Sequence, residues 1–111
     1  MFVPADPGMC VLGIDVDGEV CGVGRNPRHR SLSWLKVWEL VDLAAELGTS
    51  RLAIVVRSGG RAGRPSVHEL TVFAELRVRA RRAGIVLVDC VVWRGDEWWS
   101  LRVLDEGRIG A

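Results

Sequence analysis

Four sets of side chains in this sequence have types and spacings that could do chemistry. The first is carboxylate. Asp15 and Asp17 stand in Gly-Ile-Asp-Val-Asp-Gly near the start of the chain, and Asp89 stands in Leu-Val-Asp-Cys far downstream. Carboxylates on adjacent strands hold Mg²⁺ through hard oxygen ligands, so Asp15 and Asp89 are a candidate pair. Asp15 and Asp17 also suit ordinary hairpin-turn chemistry, because aspartate bonds back to its own backbone. The second set is a possible metal group: Glu69 with His68 beside it, His29, and the thiols of Cys10, Cys21 and Cys90. Glu69 has a competing role, since Ser66-Val-His-Glu69 matches the S-x-x-E box that opens helices.

Arginine forms the third set. The loop Arg57-Ser-Gly-Gly-Arg-Ala-Gly-Arg-Pro carries Arg57, Arg61 and Arg64 among three glycines, and Arg77, Arg79, Arg81 and Arg82 follow. Glycine-rich backbone at a helix start can cradle phosphate, so Arg57, Arg61, Arg64, Arg77 and Arg81 are candidate phosphate contacts. The loop lacks the G-x-x-x-x-G-K-[ST] pattern of a P-loop. No aromatics interleave with these arginines, which weakens a base-stacking role. From Arg57 to Arg82 seven Arg face two Glu, a local excess of five on a chain of net charge +1. A solvated basic face and a nucleic-acid contact both fit that excess. The fourth set is Trp93, Trp98 and Trp99. Consecutive strand residues point to opposite faces, so one of Trp98 and Trp99 reaches the core. The other is covered by a helix, a partner or nothing. Exposed indoles are common interface anchors.

The elements that must position these groups follow from patterning. The chain has 111 residues, 49% of them hydrophobic and 26% charged, which is one globular domain. No apolar run approaches the roughly 18 residues of a membrane span. Residues 1–8 read as a flexible leader without the basic flank and apolar core of a signal peptide. Three cysteines without C-x-x-C argue against a disulfide framework and for a cytoplasmic location. Cys10 to Val16, the Asp17-Gly18 pair and Glu19 to Gly24 predict a first hairpin. Ser31 or Ser33 caps a helix over about 34–47, with Trp34, Val37, Trp38, Val41 and Ala45 as its core stripe, widened by Leu40, Leu43 and Leu47 so that most sides are covered, and Gly48 as its stop. Arg51 to Val56 is a strand. A second helix runs from the Ser66 cap to about Ala83, burying Phe73, Leu76, Ala80 and Ala83. Ile85 to Trp93 is the longest strand, Arg94-Gly-Asp-Glu turns it, and Trp98 to Val103 returns. The expected order is β-β-α-β-α-β-β in one compact mixed sheet with two main helices, an α/β fold spanning residues 9–111.

This succession resembles the JAB/MPN domain of the RadC type, the fold of the JAMM metallopeptidases, from about Cys10 to Gly107. The likeness rests on the hairpin Val11 to Val23, on Leu47-Gly-Thr-Ser-Arg-Leu-Ala-Ile-Val, and on Ala83-Gly-Ile-Val-Leu-Val-Asp-Cys-Val-Val-Trp-Arg-Gly-Asp-Glu-Trp-Trp-Ser-Leu-Arg. The resemblance implies a layering like that of cytidine deaminases. It also implies a zinc site of an H-x-H pair and a later Asp, a proton-transferring Glu from the first hairpin region, and a nearby Ser. Laid on that motif through Pro65-Ser66, this chain puts Val56 and Ser58 at the two His positions and Glu69 at the Asp position. No carboxylate lies between Cys21 and Val23, where the Glu falls; Glu19 is the nearest. Cys90 stands where the family's strand has a histidine. A valine cannot bind zinc and a hydroxyl binds it poorly, so the metal motif is degenerate.

The resemblance therefore implies a catalytically inactive domain with no metal and no cofactor. Such domains serve as protein-interaction or dimerisation modules. A second reading is a nucleic-acid-associated module using the Arg/Gly loop and the basic second helix. RadC-type proteins take their name from DNA repair. A third is a metal-dependent nuclease of RNase H type on Asp15 and Asp89, since Gly-Ile-Asp also opens the first strand of those enzymes.

Overall fold

A computed structural model of the chain describes residues 8–25, 32–57 and 63–110. The leader (apart from Gly8), His29, Ser31, Ser58 and Arg61 lie outside the described residues. Gly8 already belongs to the first strand, β1 (Gly8–Ile14). Its partner β2 (Val20–Arg25) returns antiparallel. Asp15 makes that turn: its Oδ1 accepts the N–H groups of Asp17 and Glu19, each at 2.9 Å. Gly18 sits at φ +82°, where a Cβ would be strained. The sequence pair Asp17-Gly18 thus marks the right turn, with Asp15 as the residue that ties it.

A 3-10 turn over Leu32–Trp34 leads to α1 (Val37–Leu47), then β3 (Arg51–Arg57), α2 (Val67–Arg82), β4 (Val86–Arg94) and β5 (Glu97–Ser100). A third helix, α3 (Leu101–Gly110), follows at once. The five strands form one mixed sheet in the order β2-β1-β3-β4-β5. β1 runs antiparallel to β3, and β3 runs parallel to β4 across the α2 crossover. The radius of gyration is 13.1 Å, close to the ~13 Å of a single compact domain of this length. The α/β class with a mixed sheet is as the patterning predicts. No described helix is long and apolar enough to cross a membrane.

All three helices share one core with one face of the sheet. Leu40 and Ala44 of α1, Leu70, Phe73, Leu76 and Ala80 of α2, and Leu101 of α3 pack with Met9, Val11, Leu52, Ile54, Val56, Leu87, Cys90 and Val92. The alternate strand positions, Cys10, Leu12, Ile14 and Val55, form a second cluster on the opposite face, with Ala53 and Trp93 against it. No described helix contributes to that cluster.

Three expectations need correction. The first helix begins at Val37 rather than Trp34, and Lys36, not Ser31 or Ser33, precedes it; the carboxylate of Glu39 accepts the Lys36 N–H at 3.2 Å. Its core stripe is Leu40 and Ala44 with Val37, Leu43 and Leu47, while Trp34, Trp38, Val41 and Ala45 are exposed. The reason lies in the sheet below. Gly22 and Gly24 present no side chain, and a Cβ at either would meet the methyl ends of Leu47 and Leu43 at 2.8 and 2.7 Å. Those two leucines therefore set the helix's rotation. In α2, Leu70 is buried and Ala83 is exposed, because Ala83 is already the C-cap. Finally, the closing strand stops at Ser100 instead of running to Val103. Asp89 Oδ1 accepts the Arg102 N–H at 3.1 Å, and Ser100 Oγ donates to Asp89 Oδ2 at 2.6 Å while accepting the Val103 N–H at 3.2 Å. Two first-turn donors of α3 are thus satisfied, and the chain turns into a helix.

Candidate functional site

Of the residues read as a degenerate metal site, Val56 lies near the end of β3 and Glu69 in the first turn of α2, while Ser58 lies outside the described residues. The capping box at Ser66 is complete: Ser66 Oγ accepts the Glu69 N–H at 3.2 Å, and Glu69 Oε2 accepts the Ser66 N–H at 2.6 Å. That places Glu69 at the third residue of α2, its carboxylate turned back toward the loop. Val56 is buried in the helix-side core, so its side chain is packing material. The distinctive partner comes from elsewhere. Arg94, the last residue of β4, sends its guanidinium across to this point. One terminal nitrogen donates to Glu69 Oε1 and the other to the Gly63 carbonyl at 2.9 Å. The Arg94 side chain is only 3% exposed and that of Glu69 23%. Arg94 Nε is buried with no protein acceptor.

The electrostatics follow from that contact. Partial burial pushes the Glu69 carboxyl upward. The Ser66 N–H and the Arg94 charge outweigh it and hold the pKa below its ordinary 4.5. Glu69 is therefore ionised, and its charge is met by an internal cation. Cys90, fully buried four residues before Arg94 on β4, is pushed the other way: burial first, then the negative charges of Asp89 and Glu69, raise its thiol well above the usual range. A thiol held protonated is a poor nucleophile. A zinc ion fits this donor set badly, because one carboxylate oxygen holds a guanidinium, the other holds a backbone N–H, and Val56 offers no ligand.

The other candidates are dispersed. Glu19 is exposed beside the β1–β2 turn, and His68 is exposed on the first turn of α2. Cys10 and Cys90 lie in clusters on opposite faces of the sheet, and Cys21 is exposed on the edge strand. No group of three His, Cys, Asp or Glu among the described residues is close enough to share a metal. Asp15 and Asp89 are separated by β3, since β1 and β4 are not neighbours, and each is engaged in its own turn or cap. The arginines also divide. Arg57 ends β3, and Arg64 lies three residues before α2. Arg81 lies fourteen residues beyond Val67, roughly 21 Å along the helix at its rise of about 1.5 Å per residue. Arg77 lies over the Phe73 ring, 5.9 Å from its centroid.

The indoles sort by strand parity. Trp93 and Trp98 pair across the β4–β5 hairpin on the face away from the helices, ring centroids 6.3 Å apart and tilted by 33°. Trp98 is 52% exposed. Trp99, the next residue, turns to the helix side and is half-buried. Trp34 and Trp38, read from sequence as core, are 67% and 66% exposed. Sequence reasoning missed both these surface indoles and Arg94. The signal for Arg94 was its parity with Cys90 and Val92, which puts an arginine on the buried face.

The sequence matches no protein-family model and no curated protein.

Proposed function

We propose that the chain is a non-catalytic interaction domain of the JAB/MPN kind, and that it self-associates through the outer surface of its helix layer. One observation carries the reading: two indoles, Trp34 and Trp38, stand 67% and 66% exposed on a chain of 111 residues. Exposed tryptophan adds apolar area to solvent at a cost, and interfaces are where that cost is recovered.

The choice of a second copy as partner rests on charge. On α1 the exposed Trp38, Val41 and Ala45 adjoin the exposed acids Asp42 and Glu46. On α2, which touches α1, exposed Val78 adjoins exposed Arg79, Arg81 and Arg82. An acidic apolar strip beside a basic apolar strip is complementary to itself under a two-fold rotation. The degenerate metal motif supports the non-catalytic half of the proposal, since Val56 offers no ligand and the Glu69 carboxylate is engaged by Arg94 and the Ser66 N–H. Sedimentation equilibrium tests it. Wild type shows a mass rising with concentration and falling with salt, and Trp38→Ser abolishes the rise while Trp98→Ser does not. A concentration-dependent mass lost only in Trp98→Ser moves the interface to the hairpin. A single mass equal to one chain at all concentrations refutes self-association.

A further inference from the structure

Glu69, Gly63 and Arg94 come from three places in the chain: a helix start, the loop before it, and the end of a strand 25 residues downstream. We infer that the Arg94 guanidinium is a tethered cation that fills this pocket permanently and holds the loop and first turn of α2 onto the sheet, the task a bound metal ion would otherwise perform. The geometry supports this in three ways. The cation is buried, with its side chain 3% exposed, so it is part of the interior rather than a surface pair. It makes two separate contacts, a carboxylate and a backbone carbonyl, which are the ligand types a hard cation would collect. Its partners belong to separate segments: the Gly63 carbonyl of the loop, Glu69 of α2 and the end of β4 meet at this group. Gly63 itself sits at φ +89°, a conformation that other residues resist.

The planar fork matters. Its two terminal nitrogens reach acceptors in different directions, which a lysine ammonium on a single stem does not reproduce. The inference concerns the pocket alone and stands whether or not the exposed indoles bind a second copy.

Chemical rescue tests it. Arg94→Ala creates a guanidinium-sized vacancy against an ionised carboxylate. Its melting temperature falls by about 5–10 °C. Millimolar guanidinium restores a large part of the loss, while the same concentration of urea or sodium chloride does not. Arg94→Lys falls between the two proteins. Should Arg94→Ala fail to fold, Arg94→Met combined with Glu69→Gln removes both charges, and it must be more stable than Arg94→Met alone. Zinc added to Arg94→Ala leaves it no more stable. The inference is overturned if Arg94→Ala melts with the wild type, if guanidinium acts no differently from urea, or if zinc restores the variant where guanidinium does not.

Discussion

A single carboxylate, Glu69, is shared between two tasks. One oxygen closes the capping box of α2, and the other neutralises a buried arginine. Because the folded pKa lies below 4.5, the ionised form is the stabilising one. Its contribution is complete above the unfolded value and is lost as the pH falls through the folded value. Glu69→Gln should therefore be less stable than wild type at pH 7, by about 1–2 kcal/mol, and the difference should shrink as the pH falls below the ordinary 4.5. Urea melts of both proteins from pH 7 to pH 3 check this; a constant difference across that range contradicts it. The thiols give a second prediction at this scale. Cys21 is exposed, while Cys10 and Cys90 are buried. A thiol reagent should titrate one group in the native protein and all three after denaturation. Cys21→Ser should remove the native reaction, and any fast residual reaction would place Cys90 or Cys10 nearer solvent than their burial allows.

Among the elements, α2 and α3 show what local chemistry can and cannot announce. The box Ser66-Val-His-Glu69 is contiguous in sequence, so the start of α2 was legible to the residue. The cap of α3 is split between Ser100 and Asp89, eleven residues apart on paired strands. Half of it is invisible until the strands pair, and the segment therefore reads as a continuing strand. Asp89→Ala should loosen α3 by about 1–2 kcal/mol, lowering helical circular dichroism before global unfolding. Unchanged hydrogen exchange at Arg102 and Val103 would contradict the shared cap. In α1 the difficulty is different. Eight of its eleven residues, from Val37 to Leu47, are apolar, so a stripe can be drawn on nearly any side. Two glycines in another strand decide between them. Leu40→Ala should cost about 2–5 kcal/mol, whereas Trp38→Ser should cost little. Equal losses in chemical denaturation would mean the helix is rotated from the position described.

On the scale of the whole molecule, the α/β architecture was readable because alternation and periodicity are carried by every element at once. The candidate site was legible only in part. Sequence spacing located Glu69 and the absence of imidazoles around it, but not the arginine that meets its charge, because Arg94 reads locally as a turn residue. The whole molecule also has two unlike faces. One side of the sheet carries all three described helices, and the other carries Trp93, Trp98 and the Cys10–Leu12–Ile14–Val55 cluster. The helix layer in turn sets an acidic strip with Trp38 beside a basic strip with Val78, the arrangement on which the proposed self-association rests.

That claim meets its most direct test in sedimentation equilibrium of wild type and Trp38→Ser over a wide concentration range. For a chain of 12.2 kDa, the wild type should move toward twice this mass as concentration rises, and the variant should stay at 12.2 kDa. A wild type that remains at one chain's mass throughout, indistinguishable from the variant, would contradict it.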